Sequence, residues 1–151
     1  MQALVLALLA FIAEDSDFRH EPAVGMPAVV LVESREMAER ILDHGPEAST
    51  PGGDASRLHR DVRGMYDPST RQILLDRDLD LGTVAGRGYL VHELVHFLQY
   101  AEGRHLRALC HKLLERDAYR LQARYLRRYG VEPEFDEGVV VLRSDCWERG
   151  W

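Results

Sequence analysis

Residues 89–100 decide the fold, and they are YLVHELVHFLQY. The non-aromatic polar residues between positions 89 and 101 are spaced three or four apart or adjacent: His92, Glu93, His96 and Gln99. A helix brings such positions onto one face, so they form a narrow stripe in an otherwise apolar or tyrosine-containing segment. A surface helix would carry a broad charged face instead. The segment therefore predicts a helix that is buried nearly all round.

The stripe contains the pattern H-E-x-x-H. Because His92 and His96 lie one helical turn apart, both imidazoles can reach one metal ion at about 2.0–2.1 Å. Glu93 would lie beside that ion, where its carboxylate can take a proton from water. A different interpretation is a metal-free helical domain, in which the same side chains satisfy one another by hydrogen bonding in the core.

A third ligand is expected on the next helix. The two longer helices are predicted at residues 83–102 and 106–129, and the second has an arginine-rich side and an opposite, inward side. The inward side carries His111, Leu114, Glu115, Ala118, Tyr119, Gln122 and Tyr125. A buried carboxylate is costly unless it is paired, and a metal ion would offset that cost for Glu115. The alternatives are an ion pair between Glu115 and an arginine, or His111 as the ligand.

Other polar residues near the stripe have two interpretations each. Tyr119, one turn after Glu115, would donate to an oxyanion or simply pack. Gln99 and Gln122 are expected to orient the ligands by hydrogen bonding. The arginine side, with Asp117 on it, is expected to face solvent, although such a face can also bind phosphates.

The remaining elements follow from local signals. An apolar helix is expected at residues 2–14, a strand at 28–32, a helix capped by Ser34 at 34–43, and a loop at 44–55. Two strands at 62–66 and 71–76 flank a turn at 67–70, which makes a hairpin. The second of these strands is expected at the sheet edge beside the site, where an extended peptide could pair with it. After residue 131, residues 139–142 favour a strand, whereas Asp136 could cap a helix.

Length and charge limit the class of protein. A chain of 151 residues suits one domain spanning residues 1–151. The net charge of −6 argues against a nucleic-acid partner. The apolar run at residues 4–13 is too short for a membrane span and has no basic residue before it. We therefore expect a cytoplasmic protein, with a signal-peptide core at residues 1–13 as the alternative. Pairing between Cys110 and Cys146 stays open.

The two helices together resemble a known family. His92-Glu93-x-x-His96 followed by Glu115-x-x-Ala118-Tyr119 resembles zincin metallopeptidases of the gluzincin type. It is most similar to small bacterial zincin-like domains with an H-E-L-x-H-x-x-Q helix and an E-x-x-A-Y helix, over residues 62–129. The resemblance implies one Zn²⁺ held by three ligands, with Glu93 as general base. As oxyanion donors, Tyr119, His105 and His111 are the candidates.

These observations predict an α+β, zincin-like fold. A small antiparallel sheet would pack on several helices, with the metal site between the two long ones. The expected function is zinc-dependent hydrolysis of a peptide or protein substrate. The alternative is a zinc-stabilised module that binds a partner protein without turnover.

Overall fold

The computed structural model describes residues 1–44 and 62–143. In these ranges it has five α-helices, namely α1 (Gln2–Asp15), α2 (Ser34–His44), α3 (Val84–Ala101), α4 (His111–Arg128) and α5 (Glu137–Arg143). Three strands accompany them, namely β1 (Ala28–Val32), β2 (Gly64–Asp67) and β3 (Gln72–Asp76). The predicted α+β class is therefore confirmed.

The sheet has the order β1-β3-β2, with β3 in the centre. The hairpin of β2 and β3 is antiparallel, as predicted, but β1 pairs with β3 in parallel. The expectation of a wholly antiparallel sheet is thus wrong, and so is the placement of the 71–76 strand at the edge. Ile73, Leu74 and Leu75 are each 0% exposed. A run of buried residues without alternation is typical of a strand covered on both faces.

Successive side chains of β3 enter two different hydrophobic clusters. Ile73 and Leu75 belong to the main core, which the apolar faces of α1, α3 and α4 complete. Leu74 points to the opposite face, where it packs with Val32 and with Met37 of α2. The sheet therefore separates α2 from the three helices that form the main core.

Helix α3 begins where the sequence indicated. Thr83 is its N-cap, and the Thr83 hydroxyl accepts a hydrogen bond from the backbone N–H of Gly86 at 3.0 Å. Every residue from Leu90 to Gln99 is buried. The prediction of a helix buried nearly all round is confirmed, and its polar stripe lies inside the protein.

Helix α4 begins five residues later than predicted. Gly103 has a left-handed backbone, with φ of 67°, and it starts a single 3-10 turn at Arg104–Leu106. Leu106 and Leu109 are 80% and 87% exposed, so neither leucine packs into the core. Cys110, the N-cap of α4, has an extended backbone with φ of −157° and ψ of 161°, so the helix begins at His111.

Two expectations about helix starts have different outcomes. The helix alternative for residues 139–142 is confirmed, since Asp136 Oδ1 accepts hydrogen bonds from the N–H groups of Gly138 and Val139 at 2.7 and 3.2 Å. Ser34 does not cap α2, because it is the first helical residue and its hydroxyl donates to Asp76 at 2.7 Å.

Some predictions concern residues outside the described ranges. His44 ends α2, and the rest of the loop predicted at 44–55 lies outside the described residues, as does Cys146. Among the residues that are described, no helix is both long and apolar enough to cross a membrane.

Candidate metal centre

The predicted ligands meet between α3 and α4. The two Nε2 atoms of His92 and His96 are 3.2 Å apart. Each also lies 3.2 Å from a carboxylate oxygen of Glu115, His92 from Oε2 and His96 from Oε1. One potential ligand atom from each of the three residues lies within 4.8 Å of the others. We call these three residues the His–Glu cluster.

Glutamine side chains hold the far side of each imidazole. His96 Nδ1 lies 2.9 Å from Gln99 Oε1, and His92 Nδ1 lies 3.0 Å from Gln122 Oε1. The amide nitrogen of Gln99 donates to the Leu114 carbonyl at 2.8 Å, so its oxygen must face His96. His96 Nδ1 therefore donates its proton to Gln99, and its Nε2 faces the cluster.

The electrostatics of the cluster favour a cation at its centre. Burial lowers the pKa of His96, but the hydrogen bond and charge of Glu115 outweigh burial and raise it to about 9. Burial raises the pKa of Glu115, but hydrogen bonds from both histidines outweigh it, so the net shift is strongly downward. Without a metal, a proton on His96 supplies the positive charge between these groups.

Glu93 lies beside the cluster and is 6% exposed. Burial raises its pKa, and the nearby histidines and the Tyr66 backbone N–H only partly oppose this. On one side it touches β2, because a Cβ atom added at Gly64 would lie 2.9 Å from both Cγ and Oε1 of Glu93. Glycine at position 64 thus provides the space for this carboxylate.

Tyr119 forms one wall of the site. Its ring stands edge-on to His92, with centroids 4.5 Å apart, and Phe135 packs against it at 4.8 Å. Tyr119 and Glu115 both line a cavity of about 480 Å³. The Glu115 side chain is 32% exposed, whereas the side chains of His92 and His96 are 11% and 10% exposed. The cluster is therefore most accessible from the Glu115 side.

The alternative candidates lie further out. His111 Nδ1 is 3.8 Å from Glu115 Oε1, and its side chain is 43% exposed. His105 stacks on Tyr100 with centroids 4.1 Å apart, and its buried Nδ1 has no hydrogen-bond partner among the described residues. Within residues 1–44 and 62–143, the basic side chains beside Glu115 are those of His92, His96 and His111, and no arginine of these ranges pairs with it.

The exposed side of α4 agrees with the helical wheel. Its arginines are exposed at positions 116, 120, 124, 127 and 128, and Asp117 is partly exposed.

Two residues beside the site, Gly64 and Phe135, were not predicted from the sequence. A glycine inside a strand often marks a close approach, which is a signal for Gly64. Phe135 lies in an irregular stretch and gives no such signal.

The donor set fits a zinc ion. Two imidazole nitrogens and one carboxylate oxygen are ligands that zinc accepts, and three protein ligands are usual where one position stays open for chemistry. The hydrogen bonds from Nδ1 to the glutamines leave both Nε2 atoms directed at the cluster. Such partners fix the orientation of metal-binding histidines.

The structure is thus that of an α+β protein with a His–His–Glu cluster between two helices. The whole chain, residues 1–151, matches a family described as a domain of unknown function (DUF6647), and the chain belongs to that family. No curated protein and no solved structure is significantly similar to it.

Proposed function

We propose that this protein is a zinc-dependent peptide hydrolase. Its ligands would be His92, His96 and Glu115, with one Zn²⁺ per chain. The observation that carries the proposal is the convergence of three ligand atoms within 4.8 Å. The similarity of the two helices to the motifs of gluzincin peptidases supports peptide hydrolysis as the reaction.

Bound zinc would act as a Lewis acid, polarising the scissile carbonyl and making water more acidic. Glu93 would accept the proton of the attacking water and pass it to the leaving amine. Burial raises the pKa of Glu93, which moves it toward the operating range of a general base. Gly64 leaves room for its carboxylate beside the cluster.

Two further elements would handle the substrate. Tyr119 lies against His92 and faces the open side of the cluster, where its hydroxyl would donate to the developing oxyanion. In the described sheet the edge strand nearest Glu93 is β2 rather than β3. An extended peptide would therefore add to β2.

The decisive variant is Glu93→Gln. Glutamine has nearly the same shape but cannot take a proton at neutral pH. We expect hydrolysis of a peptide library to fall by about 10²–10⁴-fold. Zinc content and melting temperature should stay close to those of the wild type. Asp117→Ala, on the outer side of α4, is the control and should change neither zinc content nor rate.

Three results would contradict the proposal. One is an absence of zinc after purification without added metal, combined with no uptake on titration. A second is a zinc-loaded protein that cleaves no member of the library. A third is full activity of Glu93→Gln.

The second of these results would favour a zinc-stabilised binding module. One feature supports that alternative, because the His–Glu cluster joins α3 to α4 and a metal there would link the two helices. In a purely structural site, the buried carboxylate of Glu93 would serve only as an acceptor for the Tyr66 backbone N–H. Glu93→Gln keeps an acceptor there and would leave such a module unchanged, whereas the hydrolase needs the acid.

A further inference from the structure

A cavity of about 480 Å³ lies beside the His–Glu cluster, and we call it the α4–α5 pocket. Helix α4 supplies Glu115 and Tyr119 to its wall, and the chain around the start of α5 supplies Phe135, Val139 and Val140. This volume is within the range of about 300–1,000 Å³ that ligand sites occupy. Three other cavities among the described residues contain no member of the cluster.

The pocket is mainly apolar. Its lining includes two aromatic side chains, Tyr119 and Phe135, and two aliphatic ones, Val139 and Val140. Asp136 and Lys112 also reach it, but Asp136 Oδ1 accepts the N–H groups that begin α5. The carboxylate of Glu115 marks the end nearest the cluster. Such a site, apolar with polar groups at one end, suits an apolar group attached to a polar chain.

Contacts between rings connect the pocket to the site. The Tyr119 ring contacts His92 on one side and Phe135 on the other, with centroids 4.5 and 4.8 Å away. A group in the pocket would therefore lie beside Glu115 of the cluster, and only the Tyr119 ring would separate it from His92. The geometry points to a substrate subsite for a large aliphatic or aromatic side chain of the peptide. This inference rests on the proposed function and adds the substrate class.

Binding of small probes tests the subsite without relying on turnover. The probes are N-acetyl-phenylalanine amide and N-acetyl-leucine amide, with N-acetyl-serine amide as the polar control. Each is titrated into the full chain as purified, and backbone amide resonances are followed by NMR. We expect saturable shifts at Tyr119, Phe135 and Val139 for the two apolar probes, and at least about tenfold weaker binding of the serine probe.

A matched pair of variants tests whether the apolar probes bind in the α4–α5 pocket. Val139 and Leu31 are both 41% exposed, so tryptophan at either position should be compatible with the fold. Val139→Trp would fill the α4–α5 pocket and weaken binding of the phenylalanine probe by about tenfold or more. Leu31→Trp, on β1, should leave that binding unchanged. Melting temperatures of both variants establish that they are folded.

The outcomes separate the subsite from the proposed reaction. Shifts of equal size for all three probes, no saturation, or unchanged binding in Val139→Trp would overturn the subsite. Peptide hydrolysis without preference for a large apolar residue would also overturn it and leave the hydrolase standing. Apolar binding that depends on Val139 in a protein without hydrolysis would support the pocket and refute the hydrolase.

Discussion

Two acidic groups in this protein, the buried Asp67 and the partly exposed Glu115, are satisfied in opposite ways. Asp67 ends β2, and its partners lie within three residues: the N–H and hydroxyl of Ser69 at 2.9 and 2.6 Å, and the Thr70 hydroxyl at 2.8 Å. Glu115 has partners 19 and 23 residues away on another helix. Both carboxyls have a lowered pKa.

The two carboxylates differ in whether their hydrogen-bond partners need a further proton or metal ion. The donors around Asp67 are neutral groups of its own turn, which hold the hairpin without needing anything more. Around Glu115, two imidazoles direct Nε2 atoms at the same point, 3.2 Å apart. Two lone pairs at that distance repel unless a proton or metal lies between them. Local satisfaction thus fits a structural role for Asp67, whereas convergence from two helices is the arrangement that the proposed cation site at Glu115 requires.

Removing a ligand should give the largest effect. His96→Ala or Glu115→Ala is expected to lose tightly bound zinc, and also the stability that metal binding adds to the folded state. Elemental analysis and the melting temperature with and without chelator measure this. If chelator lowered the melting temperature of Glu115→Ala as much as that of the wild type, Glu115 would not be a ligand.

Changing a glutamine should give a smaller loss. Gln99→Leu removes the acceptor of His96 Nδ1 and the donor to the Leu114 carbonyl. We expect zinc affinity to fall by about 10–100-fold, as is typical when a hydrogen-bond partner of a metal ligand is removed. Competition with a chromogenic chelator gives the affinity. Gln122→Leu makes the same comparison for His92, and wild-type affinity in both variants would refute the orienting role.

The metal should also displace a proton. The folded pKa of His96, about 9, is above its ordinary value of 6.5, so metal-free His96 is charged at pH 7. Zinc binds neutral imidazole, and we expect release of about one proton per zinc at pH 7. Calorimetry in buffers of different ionisation enthalpy measures the number. In the metal-free protein, the stabilisation from charged His96 is complete below about pH 6.5 and is lost as the pH rises through about 9.

Disrupting the Asp67 turn should affect stability alone. Asp67→Ala removes an acceptor of three hydrogen bonds, and we expect a loss of about 1–3 kcal/mol in the free energy of unfolding. Burial raises the pKa of Asp67, but the hydrogen bonds from Ser69 and Thr70 outweigh it. The stabilisation is therefore present above about pH 4 and is lost on acidification. Denaturant unfolding measures it, and zinc content should not change.

The site was more predictable than the sheet, for a physical reason. His92, His96 and Glu115 follow from spacing within single helices, which a sequence displays directly. The pairing of β1 with β3 joins residues more than 40 positions apart, and no local pattern encodes a partner strand. The unbroken apolar run Ile73-Leu74-Leu75 was the one local sign that β3 is central.

One boundary differs from the prediction. The stretch from Leu106 to Cys110 contains good helix formers, yet the extended backbone of the N-cap Cys110 makes α4 begin at His111. Residues 139–142 are rich in valine, which favoured a strand, but the Asp136 cap belongs to the helix alternative, and that alternative is the one the structure has.

The close contact between Gly64 and Glu93 has a consequence for how this family can diverge. Any side chain at position 64 would collide with the carboxylate, so the two positions are expected to change together. If some members lacked the proposed catalysis, a smaller residue could replace Glu93, and an added Cβ at position 64 would then still meet Leu75 Cδ2 at 3.0 Å. Under the hydrolase proposal, members that keep the two histidines but have a Cβ at position 64 are expected to show no turnover.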